Sequence, residues 1–368
     1  MTPKERVKVV YEGKTPDQVP FLLDLSHWYK KNYNVPFDLS GIKKVDYDLV
    51  ALHKKLGAVA YVEMGSFFEL YPEDPGVEIK SWTEDGVFHT KIITPVGSLE
   101  DSRVFEERSY SYNIKEPLVK SVNDFPIVEY LMNSLQCRPN WDYYREWEKA
   151  LGDLAFQYTQ LPYSGFGYLI SRYMRVEETV FAVMDYPGKV HSLVDTVNAC
   201  NLRILDKIID GPFETLFISD NYDSNVQPRN YFDAYMRSYY TVVANRLHEK
   251  GKYLSVHVDG ENSGIVKWLS ECGVDCADAI TPAPMFNLSP AEIREQAGPD
   301  LILSGGIPAN LFGSTGSDKE FTEAVVRWLE IRRKSSRLFM AAGDQVPTDA
   351  PWERIALLPK LIEEYGRY

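Results

Sequence analysis

Cysteine and histidine are scarce in this chain, with four of the first and six of the second among 368 residues. Four cysteines (Cys137, Cys200, Cys272, Cys276) in a chain this long argue against a disulfide framework. Cys272 and Cys276 stand four apart, but Gly273 between them marks a helix end rather than a metal-binding pair. Positive charge is in deficit: Lys+Arg 40 against Asp+Glu 53 leaves a net charge of -13. Such a surface repels phosphate backbones and anionic lipid, so neither nucleic acid nor membrane is expected as a partner. No apolar run approaches the roughly 18 residues of a membrane span. The opening "MTPKERVKVVYEG" has no apolar core of signal-peptide length, and a cytoplasmic location is the expectation. Low-complexity tracts, an interdomain linker and a dinucleotide-binding glycine fingerprint are missing as well.

What remains is ordinary globular composition, 44% hydrophobic and 25% charged, with a strand–loop–helix rhythm. "TPKERVKVVYEGK" predicts a helix capped by Thr2, with Glu5 closing the box. "DQVPFLLDL" and "AVAYVEM" read as buried strands. "VEIKSWTEDGVFHTKIITPVG", residues 77–97, alternates in polarity around Asp85-Gly86 and predicts an inserted hairpin. From residue 150 strands are predicted in "LAFQYT", "ETLFISDN", "YLSVHVDG", "DAITPAP", "DLILSGGIP" and "RLFMAAGD", with helices between them. Strands without polar alternation, each followed by a helix, belong to a parallel sheet buried on both faces. The fold class is therefore α/β: a (β/α)8 TIM-type barrel with an N-terminal helical extension and a β-hairpin insertion, one domain over residues 1–368.

In such a barrel the chemistry gathers where strands run into their following loops. The strand-end residues include His27, Glu63, Asp220 with Asn221, His257 with Asp259, Thr281, and Asp344. Asp and Asn also cap helices and fold turns, so a structural role competes at each position. His257 and Asp259 stand at i and i+2, which places both on one face of a strand with Val258 turned outward. Such a pair can ligate a metal, act in proton transfer with Asp259 fixing the tautomer of His257, or form a buried structural hydrogen bond. Asp344 has no evident capping task, which falls to Asp349 before Pro351. The glycine pair in "LSGGIP" can admit an anion. "LPYSGFGYLISRYM" suits either a flat apolar ligand or plain core packing.

"SVHVDGE", "GVDCADAITPAP", "LILSGGIPANLF", "AAGDQVPTDAPWERIALLPKLIEEYGR" and the opening "TPKERVKVVYEGKTPDQVP" resemble the uroporphyrinogen decarboxylase superfamily over nearly the whole chain. The resemblance implies a (β/α)8 barrel with its site in the central cleft. The decarboxylases of the superfamily bind carboxylates with arginines after the first strand. Here that loop, "DLSHWYKKNYN", offers Lys30 and Lys31 and no arginine. Tyr173 matches their active-site tyrosine segment, and Asp344 falls where they place a late histidine. The chain is more similar to the cobalamin-dependent methyltransferases, whose His-x-Cys and late Cys hold zinc. By position those ligands become His257, Asp259 and Asp344, a harder set that favours a bound oxygen over a thiol. The resemblance thus implies a corrinoid-dependent methyltransferase acting on a small substrate, with O-methyl compounds in view. Zinc at His257, Asp259 and Asp344 would be the Lewis acid, His257 and Asp344 the catalytic pair. His27, Glu63, Tyr173, Asp220 and Asn221 would bind substrate. No Asp-x-His-x-x-Gly corrinoid motif is present, so the corrinoid would arrive on a partner protein. The alternatives are a metal-independent decarboxylase or other lyase, and a non-catalytic tetrapyrrole- or corrinoid-binding protein.

Overall fold

Short apolar runs supply the central strands. The computed structural model describes residues 1–37, 43–60, 65–156 and 158–368. Among them eight strands run parallel to their neighbours: β1 (Leu22–Leu23), β2 (Val59–Ala60), β3 (Tyr158–Leu161), β4 (Thr215–Ile218), β5 (Tyr253–His257), β6 (Cys276–Ile280), β7 (Ile302–Ile307) and β8 (Leu338–Ala342). β3 to β8 make one six-stranded sheet in the order β8-β7-β6-β5-β4-β3. β1 pairs with β2, Leu22 opposite Val59. Single parallel bridges join Phe21 to Met340 of β8, and Ala60 to Ala155 just before β3. This order matches the prediction, although the joins at β1 and β2 are bridges rather than ladders. Every residue of β4, β6, β7 and β8 is buried, as the lack of alternation required.

Local signals explain the helices. The predicted capping box forms at Thr2 and Glu5 on helix Pro3–Tyr11, and another at Ser289 and Glu292. Asp349 does not cap the last helix, Trp352–Tyr365. Its carboxylate instead accepts from the backbone N–H and hydroxyl of Ser314. The predicted hairpin has its turn at Asp85-Gly86, both at positive φ (50° and 77°), the form that matches strand twist. It is only half of the insertion. Glu78–Glu84, Val87–Thr94, Gly97–Glu106 and Ser111–Glu116 form a four-stranded antiparallel sheet. The second half went unread because its alternation is weak, with Arg103, Asp101 and Ser102 inside the long strand.

One irregularity positions the site. The pairing of β6 with β7 shifts register between Ala277 and Ile280, and Ala279 sits at φ +59°. A bulge of this kind re-aims side chains at the cost of local strain, and here it sits at Asp278. The bulged backbone crowds Gly305 of β7, where a Cβ would collide with the Ile280 backbone. A Cβ on Gly306 would strike the Trp328 ring. The glycine pair is thus filled by packing and offers no open anion cradle. Gly305→Ala, at φ +140°, is expected to lower unfolding stability by about 3 kcal/mol, combining overpacking with backbone strain. Urea denaturation checks it, and a loss under about 1 kcal/mol would contradict the packing argument.

Candidate active site

His257 ends β5, and Asp278 of β6 is its register partner. His257 Nδ1 lies 3.0 Å from Asp278 Oδ2, and the two side chains are 12% and 4% exposed. Ser304 of β7 donates its hydroxyl to Asp278 Oδ1 at 2.8 Å. With its first ring nitrogen so anchored, the imidazole presents Nε2 to Asp344 Oδ1 at 3.6 Å. Asp344 follows β8, and its side chain is 41% exposed. The backbone beneath it is fixed: Gly343 N donates to Ile307 O at 2.8 Å, and Thr281 Oγ1 to Gly343 O at 3.1 Å. Asn262 Nδ2 donates to Thr281 O at 2.8 Å. A Cβ at Gly343 would collide with the Thr281 hydroxyl, so glycine before Asp344 is a packing requirement.

The charges are coupled. Burial alone would lower the pKa of His257, but the Asp278 hydrogen bond and the charges of Asp344, Asp278 and Asp259 raise it to about 9. Burial pushes Asp344 upward, with His257 opposing and Asp259 adding to the rise. Both shifts are upward, so the two groups compete for one proton. The nearly fully buried Asp278, 3.0 Å from Nδ1, favours the imidazolium.

The predicted residues are not all brought together. His257 and Asp344 meet. Asp259 does not share a strand face with His257: β5 ends at His257, and Asp259 N binds Tyr222 O at 3.1 Å in the following loop. Its side chain is exposed, while Val258 is fully buried. Asp220, expected to bind substrate, lies in the interior. It is fully buried, Oδ1 accepts from Ser164 N at 2.7 Å, and Oδ2 accepts from the Tyr240 hydroxyl. Asn221 stands at φ +48°, half-buried at the end of β4. Tyr173 is 7% exposed and stacked on Tyr168 at 4.7 Å, inside the helix after β3. His27 holds the tip of the inserted sheet, its Nδ1 3.4 Å from Ser109 O and its ring edge-on to Phe37. Lys31 and Thr348 grip the same tip through Arg108 O at 3.2 and 2.7 Å. Glu63 lies outside the described residues. Sequence reasoning missed Asp278 and Ser304; the available signal was an acid in the middle of an otherwise apolar strand.

For a metal, the anchored imidazole and its neighbour fit two corners of a coordination shell. Ligating histidines are held from behind by a carboxylate in this way. Two donors on a tetrahedral ion with bonds near 2.0–2.1 Å stand roughly 3.4 Å apart. Among the described residues no three His, Cys, Asp or Glu side chains are gathered to complete such a site.

A family model described as uroporphyrinogen decarboxylase (URO-D) matches residues 161–365, more than half of the chain. The chain belongs to that family. Among solved structures it is similar to a methyltransferase from Methanosarcina mazei, with TM-score 0.65 and 12% identity, covering 99% of both chains. That likeness is one of fold. A comparison with curated proteins found no match. Among the described residues no helix is long and apolar enough to cross a membrane.

The raised pKa of His257 carries a sign. The native state holds its proton more tightly than the unfolded chain, so the stabilisation is complete below about 6.5 and lost as pH rises through about 9. In metal-free protein Asp278→Asn is expected to bring the His257 titration, followed by NMR, back toward the ordinary histidine range. The stability gap between wild type and variant should then be wider at pH 6 than at pH 9.5. An unchanged titration would show that Asp278 does not set the proton affinity.

Proposed function

We propose that this chain is a methyltransferase-like enzyme on a closed (β/α)8 barrel, moving a methyl group between a small substrate and a corrinoid carried by a partner protein. The observation that carries the reading is the anchored imidazole of His257, whose Nε2 is presented with the Asp344 carboxylate at strand ends. Family membership and the likeness in fold to a methyltransferase support it. His257 Nε2 and Asp344 are the residues that would hold zinc, and Asp259, exposed and electrostatically coupled to both, is the third donor the reading requires. When bound, zinc supplies Lewis acidity at the substrate heteroatom and the corrinoid supplies the methyl-carrying cobalt. The chain's own part is positional. Asp278 fixes the ring and its tautomer, Ser304 fixes Asp278, and Thr281 fixes the backbone that aims Asp344. An oxygen-rich donor set suits an O-methyl substrate, because it favours an oxygen ligand over a thiol. Four free cysteines support a reducing, cytoplasmic setting.

A second reading keeps the pair and omits the metal. His257 would be the acid and Asp344 the base of a lyase acting on a carboxylated substrate. The raised proton affinity of His257, and the lack of a gathered third donor among the described residues, favour it.

Elemental analysis of protein purified without chelator separates the two. The first reading predicts near one zinc per chain, falling by at least about tenfold in His257→Ala, and methylation of cob(I)alamin from an aryl methyl ether that is lost in the same variant. Under about 0.1 zinc per chain, with no methylated cobalamin formed, would remove it.

A further inference from the structure

The aromatic run "LPYSGFGYLISRYM", residues 161–174, has no part in the chemistry above. Its inner side is tightly fixed. Ser164 N donates to Asp220 Oδ1 at 2.7 Å, Gly165 N to Asn198 Oδ1 at 2.8 Å, and Asn201 Nδ2 to Tyr163 O at 2.7 Å. Neither Gly165 nor Gly167 has room for a Cβ: one would strike the Val194 backbone, the other the Asp220 carboxylate. Leu169–Tyr173 is then a single π-helical turn, with Met174 N donating to Leu169 O at 2.9 Å. Such turns are frequent at functional places. Arg172 lies on this turn and reaches back to Tyr163. Its Nη2 donates to the Tyr163 hydroxyl at 3.0 Å, and the guanidinium carbon stands 5.1 Å from the ring centroid.

The charge at this pair is unanswered. Arg6, Arg145, Arg229, Arg237 and Arg246 each meet a carboxylate. Arg172 is exposed, and among the described residues its polar partner is the phenol alone. The remaining guanidinium N–H groups and the Tyr163 hydroxyl proton are left to find an acceptor. Tyr163 follows β3 at the strand ends, two residues past Leu161. Leu161 of β3 is in register with Ile218 of β4, and Ile218 with Val256 of β5, one residue before His257, so Tyr163 leaves the same end of the sheet as the His257 centre. The neighbouring centre is itself acidic through Asp259, Asp278 and Asp344, so it repels an anion.

We propose that Arg172 and Tyr163 form a subsite for the carboxylate of the substrate, which makes the substrate a small organic acid bearing its methylated heteroatom at the other end. The heteroatom half rests on the methyl-transfer reading; the carboxylate half stands on the Arg172–Tyr163 geometry. Paired guanidinium N–H groups match the two carboxylate oxygens, and the phenol adds a third donor. The acid is thereby turned away from Asp344 and its neutral end toward it.

Calorimetric titration with 4-methoxybenzoate and with 4-methoxybenzamide, of equal size and no charge, reads the subsite directly. Wild type is expected to bind the acid at least about tenfold more tightly. Arg172→Gln should abolish the preference, and Arg172→Lys, which keeps the charge but not the fork, should fall between. Tyr163→Phe should reduce it in part and gives a second readout if Arg172→Gln fails to fold. Equal or absent binding of both compounds by wild type, or a preference retained in Arg172→Gln, would overturn the proposal. Methyl transfer is assayed separately. A preference without transfer retires the reaction and keeps the subsite; transfer without a preference retires the subsite alone.

Discussion

The hydrogen bond between His257 Nδ1 and the buried carboxylate of Asp278 orders everything else at the strand ends. An imidazole free to rotate would present either nitrogen to the cleft. Held at 3.0 Å by a carboxylate that Ser304 also grips, it presents Nε2. The fold accepts strain to obtain this. β6 bulges at Asp278, Ala279 takes a left-handed conformation, and β7 must carry glycine opposite the bulge. Such a cost at one carboxylate points to a positional demand rather than to stability, since a hydrophobic strand without the bulge would pack as well.

Charge is unevenly placed at the strand ends. Asp344, Asp278 and Asp259 act on a single imidazole at the end of β5, while Arg172 rests on Tyr163 beyond β3. The tip of the inserted sheet is pinned by His27, Lys31 and Thr348.

Much of this was legible from the residues, and the misses share a cause. Period and punctuation revealed the βα rhythm, the capping box at Thr2, and the Asp85-Gly86 turn, because each is written within a few positions. His257 and Asp344 were readable as polar residues closing apolar strands. Asp278 was not, because its role depends on which strand lies beside β5 and in what register, and no local pattern states that. Asp220 looked like a strand-end ligand. Only the packing of the helices that follow β3 and β4 shows its oxygens occupied by Ser164 and Tyr240. His27 stood at a strand end too, and its actual contact, Ser109, is 82 residues away in the insertion.

The orientation of His257 can be seen directly in the 15N spectrum of its side chain, recorded at neutral pH before and after one equivalent of zinc. The account predicts a proton on Nδ1 in both spectra, with the zinc-induced change confined to Nε2. A response at Nδ1, or loss of the Nδ1 proton, would mean that Asp278 does not hold the ring and that the cleft is organised in some other way.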